Sequence, residues 1–539
     1  MNGAQAMIKC LEAEGISKVF GYPGVAIAPF YESLYHSDIE HILVRQEQNA
    51  GHAASGYARM SRRPAVCVVT SGPGATNLIT ALATAYADSI PIVAISGQVS
   101  SKLLGHDVFQ EADMRGATKS FVKHSYLVKN PDDIPRVFKE AFYIASTGRK
   151  GPVLIDVPMD VQKSELKKEF AYPEGVFIRG YKPEIKLNTV QLRRVVQALN
   201  QAKRPLLCTG GGAILGNSET VIRDFCEKFN YPVVHTMMGM GIMPKKHPLN
   251  FGMLGSNGKP YANKAVSKAD LLIVAGARIA DRAITKPDRL AGQVQIIHID
   301  IDTAEIGKNI GPTIPLVGDL SEIFSYLCDQ DIHTVSQSWI DELENIKRST
   351  VDTRVFSDRL VDPNLLVQKL SGKMADDAVY VADVGQNQLW SADNYIMKDG
   401  RFMTTGGMGT MGYSIPAAIG AKLVSPEKQV VAVTGDGAFQ MSMNELATLK
   451  DTGTDVKVVI VRNGFLGLVR EYQYNLYDSH YIGVKLSDMP DYSKIAEAYG
   501  MPFFSCSSND ELDGTLDAFL SCPEACLMVC DVDGDNRVK

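Results

Sequence analysis

Short unbroken apolar runs recur along the chain, separated by segments with one polar face. They are Ala65–Thr70, Ile92–Ser96 and Pro152–Asp156 in the first third, and Pro205–Cys208, Leu271–Ala275 and Gln295–Ile301 in the second. Ala378–Ala382, Gln429–Thr434 and Asp455–Arg462 follow in the last. Continuous apolar strands alternating with helices predict parallel sheets covered on both faces. An amphipathic helix, Ala4 to Glu14, opens the chain. A polar, Lys- and Pro-containing stretch from about Lys163 to Leu187 reads as a linker. A charged stretch from about Asp329 to Asp358 reads as a second linker, helical in part. The expected fold is α/β, with three doubly wound parallel-sheet domains at 1–163, 188–328 and 360–532. Ala53–Ala58 and Ala417–Ala421 echo each other as small-residue helix faces packed closely on a sheet. That echo suits a first and third domain sharing one fold.

Two strand ends carry the first chemical signal. Gln429–Thr434 runs into Gly435-Asp436-Gly437-Ala438, and Asp455–Arg462 runs into Asn463-Gly464. Between them Ser442–Lys450 reads as a helix, with Ser442 and Glu445 as a capping box and Gly453 as its stop. Such a strand–helix–strand unit joins parallel strands by a right-handed crossover. Asp436 and Asn463 therefore leave the same sheet edge, where open α/β sheets bind ligands. As neighbours they bring a carboxylate and an amide oxygen to within roughly 5 Å. Beside them lie a glycine turn and a helix N-terminus, a place for phosphate. Hard oxygen ligands with a phosphate cradle point to Mg²⁺ holding a diphosphate.

Composition narrows the class without adding chemistry. At 539 residues the chain exceeds one core, and three domains are the natural expectation. It is 45% hydrophobic and 22% charged, with net charge −6, as in ordinary soluble globular proteins. No basic patch suggests nucleic acid, and no apolar run is long enough for a membrane span. The first residues lack signal-peptide architecture, so a cytoplasmic protein is expected. The nine cysteines are scattered. The closest set, Cys522, Cys526 and Cys530, fits no common zinc spacing and reads as buried thiols.

Gly-Asp-Gly followed, 27 residues after its Asp, by Asn463 resembles the signature of the thiamine diphosphate enzymes. The resemblance implies that Asp436, Asn463 and the Phe465 carbonyl bind the metal, with Gly435, Gly437 and Ala438 at the diphosphate. Gly385-Gln386-Asn387 resembles the family's second diphosphate loop. Glu47, in Val44-Arg-Gln-Glu-Gln-Asn49 after a strand, matches the Glu that hydrogen-bonds the pyrimidine ring. Sharing a proton there stabilises the imino form that acts as base, a task suited to a buried carboxyl. From the residues alone, a Glu47–Arg45 surface pair is the alternative. In Thr405-Gly-Gly-Met-Gly-Thr-Met411-Gly-Tyr, Met411 matches the apolar wedge that bends the cofactor, and the Gly409 carbonyl would accept from the pyrimidine amine. Ordinary core packing is the other reading of Met411. In this family the equivalents of Glu47 and Asp436 come from different chains, implying a homodimer or homotetramer.

Longer segments narrow the resemblance to the acetohydroxyacid synthase (acetolactate synthase) catalytic subunits. Val19–Gly24, Asp107–Asp113, Lys123-His124, Phe251–Gly255, Gly276–Arg282 and Asp300–Asp302 carry it. By position, Phe109 and Gln110 would border the reacting carbon. Arg282 would meet the acceptor carboxylate, a role suited to a planar fork, unless it pairs with Asp281 or Asp288. The implied reaction decarboxylates pyruvate on thiamine diphosphate and adds the hydroxyethyl unit to a second 2-oxo acid, on the route to branched-chain amino acids. The middle domain of this group holds FAD, and Gly210, Gly211, Gly212, Gly276, Arg278 and Asp300 resemble its contacts. The resemblance leaves open a small regulatory subunit as a further partner.

Departures cluster around the acceptor. Val25 replaces a common Gly, Met159 a frequent Lys, and Tyr472 the Trp that favours 2-oxobutyrate. A weakened preference for 2-oxobutyrate over pyruvate is expected. The chain ends at Lys539, soon after Cys530-Asp-Val-Asp, so the longer covering tail of some members is expected to be short or absent. Rival readings are a carboligase with another acceptor such as a keto sugar, a pyruvate-oxidase-like enzyme, and a silent regulatory paralogue. A pyruvate-decarboxylase type would need paired histidines, and none of the ten is adjacent to another.

Overall fold

The computed structural model describes residues 1–284, 292–350, 357, 359–486 and 489–538. Among the described residues there are three six-stranded sheets, and every strand pair in them is parallel. The first holds β1 (Lys18–Tyr22), β2 (Glu40–Leu43), β3 (Ala65–Val69), β4 (Ile92–Gln98), β5 (His124–Leu127) and β6 (Val153–Pro158). The second holds β7 (Pro205–Thr209), β8 (Val233–His235), β9 (Asn250–Met253), β10 (Leu271–Ala275), β11 (Gln295–Asp300) and β12 (Ile314–Val317). The third holds β13 (Val379–Ala382), β14 (Arg401–Met403), β15 (Val430–Gly435), β16 (Lys457–Arg462), β17 (Phe503–Cys506) and β18 (Cys526–Asp531).

Strand order shows the duplication. The first sheet runs β2-β1-β3-β4-β6-β5 and the third β14-β13-β15-β16-β18-β17, the same order strand for strand. The middle sheet runs β9-β8-β7-β10-β11-β12, the order of dinucleotide-binding sheets. Strand order reverses between β1 and β3, between β7 and β10, and between β13 and β15. Crevices for ligands open at the carboxyl ends of those pairs. β3, β7, β10 and β13 are buried along their whole length, which explains their uninterrupted apolar sequence.

The two small-residue helices, Glu47–Ser61 and Ser414–Val424, occupy equivalent places in the first and third domains and pack along each other. Each also touches its own sheet, as expected, but the more extensive contact is helix to helix. A Cβ at Gly56 would collide with the Ala417 carbonyl, and one at Gly420 with the Ala53 carbonyl. Tyr413 and Ser55 bridge the pair at 3.1 Å. Gly420→Val should destabilise the chain by about 3 kcal/mol through overpacking. Urea unfolding would measure this, and an unchanged midpoint would contradict the packing account.

The middle domain is tied to both others by charge. Glu219 accepts from Arg62 of the first domain (2.9 Å) and Arg401 of the third (2.6 Å). Arg149 reaches Asp302 at 3.1 Å and Glu305 at 2.9 Å. In the charged stretch after Asp329 lies a helix, Gln337–Ser349, whose Trp339, Ile340, Leu343 and Ile346 belong to the middle core. The Trp339 indole donates to the Pro205 carbonyl, sealing the start of β7. All nine cysteines are free, and seven are buried. Among the described residues, no helix is long and apolar enough to cross a membrane.

Candidate active site

β15 and β16 are neighbours in register, Gly435 opposite Val461, so Asp436 and Asn463 emerge side by side. Asp436 is buried and opens the helix Asp436–Ser442. Its Oδ2 accepts from the Asn463 and Gly464 N–H groups at 3.0 and 2.7 Å, and its Oδ1 from Gly437 N–H at 2.9 Å. Burial pushes the Asp436 carboxyl up, against the pull of those three N–H groups. Asn463 Oδ1 accepts from Phe465 N–H at 2.9 Å.

The connecting segment differs from the expected single capped helix. Helix starts at Asp436, breaks into a 3₁₀ turn at Met443–Glu445, and resumes over Leu446–Thr452. Ser442 and Glu445 form no capping box. Ser442 Oγ has no hydrogen-bond partner among the described residues. Glu445 instead accepts from Arg45 N–H (2.9 Å), Asn49 Nδ2 (2.8 Å) and Thr448 Oγ1 (2.6 Å), reaching into the first domain. Tertiary contacts outcompeted the local cap. Gly453 does stop the helix, at φ +62°.

The second loop follows β13. Gly385, at φ +142°, caps the helix Gln386–Asn394. Asn387 donates to the Asp383 and Val433 carbonyls, placing its Oδ1 3.3 Å from where a Cβ on Gly435 would lie. Gln386 turns the other way, toward Asn463 and Glu471. Met411 reaches the same crevice, with its Cε 3.6 Å from a Cβ built on Gly437. A Cβ on Gly437 would also meet the end of the Leu466 side chain, 2.8 Å away. Ala438, next along, is buried in the helix.

The first-domain half gathers at the β1–β3 crevice. Glu47 starts its helix, and its Oε2 accepts from Asn77 Nδ2 at 3.0 Å. Arg45 pairs with Asp451 and the Leu43 carbonyl, so no Glu47–Arg45 pair forms. Glu47 Oε1 lies 3.3 Å from a Cβ on Gly74, and Gln110, itself at φ +60°, lies 2.9 Å from one on Gly72. Thr70 Oγ1 and Ser71 Oγ are buried here without a partner among the described residues. Val25 and Phe109 are 74% and 87% exposed beside this group, an open apolar rim. Met159 opens the helix after β6 on the same sheet edge.

A cleft of about 1150 Å³ runs between the three domains. Gly211 and Gly212 line it after β7, Gly276 and Arg278 after β10, and Asp300 at the end of β11. Gly210 is packed behind the wall, where a Cβ would collide with the Gly276 carbonyl. Burial raises the Asp300 carboxyl to about 6, and the Asp302 N–H at 2.9 Å opposes it. Thr404–Gly407 and Gly409 form another wall, so the loop bearing Met411 borders both cleft and crevice. Arg282 and Tyr472 close one end, with Arg282 Nη1 3.4 Å from the Tyr472 hydroxyl. Asp281 lies 3.8 Å from Arg282, and Asp288 is outside the described residues.

The donor sets fit the groups the sequence suggested. Asp436, Asn463 and the turn through Phe465 supply hard oxygens suited to Mg²⁺. Gly385, Gly435 and Gly437 leave backbone bare for a diphosphate, and the buried Thr70 hydroxyl, with no partner among the described residues, lies near Glu47. The glycine-walled cleft at the β7–β10 reversal fits a dinucleotide, and Ser256 Oγ in its wall is buried with no partner among the described residues.

Two positioning residues have no counterpart among the sequence expectations. Buried Asp383 accepts from Gly412 N–H (2.9 Å) and Ser414 N–H (2.8 Å), fixing the far end of the Met411 loop. Asp88 accepts from Gly406 and Gly407 N–H (3.2 and 2.8 Å) and pairs with Arg59 at 2.9 Å, holding the near end. Asp383 directly precedes the Val384-Gly385 turn, a signal that could have found it. Asp88, a lone acid after an alanine-rich helix, carried none.

Three family models match successive parts of the chain. Residues 1–117 match the thiamine pyrophosphate enzyme N-terminal TPP binding domain, 192–327 the central domain and 383–530 the C-terminal TPP binding domain. The chain is 43% identical to a probable acetolactate synthase large subunit of Methanocaldococcus jannaschii, over 97% of this chain and 90% of that protein. It is 42% identical to the acetolactate synthase large subunit of Corynebacterium glutamicum, over 93% and 82%. It is 41% identical to an acetolactate synthase of Arthrospira platensis, over 93% and 89%.

Proposed function

The chain belongs to the thiamine pyrophosphate enzymes, alongside the acetolactate synthases, and from that premise we propose that it converts two pyruvates to 2-acetolactate and CO₂. The observation that carries the reading is the convergence of Asp436, Asn463, Gly437 and Met411 on one crevice. Asp436, Asn463 and the Phe465 carbonyl hold Mg²⁺, and Gly385, Asn387, Gly435, Gly437 and Ala438 face the diphosphate. Bound thiamine diphosphate supplies the carbanion chemistry by which one pyruvate loses CO₂ and its remaining two carbons join the second.

The side chains divide the remaining work. Glu47 exchanges a proton with the pyrimidine ring nitrogen through a carboxyl steadied by Asn77. Met411 would lie against the bound cofactor, and the Gly409 carbonyl would accept from its pyrimidine amine. Gln110 and Phe109 border the reacting carbon, with Val25 and Met159 on the same rim. Arg282 receives the acceptor carboxylate. The glycine-walled cleft would hold FAD against Gly211, Gly212, Gly276, Arg278 and Asp300, with Gly210 setting the wall's shape. The open rim at Val25 and Phe109 supports completion of the site by a second copy, as a homodimer or homotetramer. Two of the relatives are named large subunits, which supports a smaller regulatory partner as well. We place this activity in branched-chain amino acid synthesis in the cytoplasm.

Acceptor choice rests on Tyr472, whose hydroxyl touches Arg282. Tyr472→Trp should raise the preference for 2-oxobutyrate over pyruvate by about tenfold, the scale of one extra methylene in a pocket. Competition between the two acceptors measures it, and an unchanged ratio would remove Tyr472 from the pocket. The activity itself is tested by incubating the protein with pyruvate, thiamine diphosphate, Mg²⁺ and FAD. Acetolactate with one CO₂ per two pyruvates supports the reading. Acetaldehyde or acetyl phosphate would overturn it.

A further inference from the structure

We infer that Glu471 and Gln386 form a directional hydrogen-bond relay that decides which end of the Asn463 amide faces the metal, an inference that rests on the magnesium site proposed above. Glu471 is 6% exposed on the helix Gly467–Leu476. Its Oε2 accepts from Gln386 Nε2 and from the Val538 N–H, both at 3.0 Å. Gln386 Nε2 also donates to the Asn536 carbonyl at 3.1 Å. A carboxylate and a carbonyl only accept, so the Gln386 amide has one permitted orientation. Its Oε1 must face the other way, where it accepts from Asn463 Nδ2 at 3.0 Å.

Polarity thus passes along the chain of groups. With Nδ2 committed to Gln386, Asn463 turns Oδ1 into its own turn, the turn whose first two N–H groups hold Asp436 Oδ2. An Asn flipped by 180° would offer the cation an N–H instead of a lone pair. Gly467 keeps the passage open, because a Cβ there would collide with Gln386 Oε1. The final residues take part through Asn536 and Val538, and Gly534 packs against the Phe465 ring. Glu471 also adjoins Tyr472, so one helix carries both the relay and the contact to Arg282. Glu471 and Gln386 are positioning residues here, acting through Asn463.

Mn²⁺ titration of the full chain with saturating thiamine diphosphate, reading free Mn²⁺ by electron paramagnetic resonance, tests the relay. Glu471→Leu and Gln386→Leu should each weaken Mn²⁺ about tenfold, the scale of one misplaced hydrogen bond. The double variant should lose no more than the worse single one, since both break the same relay. Glu471→Gln keeps an accepting oxygen and should stay within about threefold of the parent. A loss in Glu471→Gln equal to that in Glu471→Leu would show charge rather than polarity at work and overturn the inference. Multiplying losses in the double variant, or unchanged affinity in both leucine variants, would overturn it too. Should Glu471→Leu fail to fold, Gln386→Leu against Glu471→Gln decides alone. Mn²⁺ binding by the parent that survives Asp436→Asn would instead refute the underlying metal site.

Discussion

Asp436→Asn is expected to lower kcat by about a thousandfold and to abolish saturable Mn²⁺ binding, with the rest of the fold intact. The magnitude is that of removing one preorganised electrostatic group from a reacting centre. The carboxylate has two oxygens, and the structure uses both: three backbone N–H groups converge on them. An Asn presents one oxygen and one N–H₂, so at least one backbone donor would face another donor. The Asn463–Phe465 turn would lose its anchor together with the negative charge proposed to draw the cation. Mn²⁺ titration beside steady-state kinetics checks this, and turnover within tenfold of the parent would remove Asp436 from the site.

Glu47→Gln separates binding from chemistry. The proposed diphosphate half of the site, around Gly435 and Gly437, lies on the third domain and is untouched by this change, so thiamine diphosphate affinity should shift little. Turnover should fall between about a hundredfold and ten-thousandfold, the range for losing a positioned proton-transfer group. A Gln can replace the bond to Asn77 but cannot exchange a proton. Hydrogen–deuterium exchange at the thiazolium C2 of the bound cofactor, followed by rapid quench and proton resonance, reads the step directly. Exchange as fast as in the parent would refute the assignment.

Much of this was legible in the chain because the governing signals are local. The apolar runs at Ala65–Val69 and Leu271–Ala275 read as buried strands, since a doubly covered parallel strand has no polar face. The Asp436–Asn463 spacing fixed a crossover and therefore a shared sheet edge. Less local features were missed. The small faces at Gly56 and Gly420 predicted close packing, but only the structure shows that each is the other's partner. Glu445 looked like a cap because Ser442 stood three residues before it. Its partners, Arg45 and Asn49, lie some four hundred residues away in sequence, beyond any local pattern. Asp88 and Glu471 carried no local signal for the same reason: partners of each lie in distant loops and helices. Gly210, grouped with the cleft by its motif, instead supports the wall against Gly276.

The central claim is that Glu47 and Asp436 serve one thiamine site, each copy of the chain supplying one half. Co-expression of differently tagged Glu47→Gln and Asp436→Asn chains, with purification through both tags, isolates mixed dimers. One of the two sites in each mixed dimer then carries both defects and the other carries none. Acetolactate formation restored to about half that of the parent dimer is the predicted result. Mixed dimers as inactive as either variant alone would contradict the shared site.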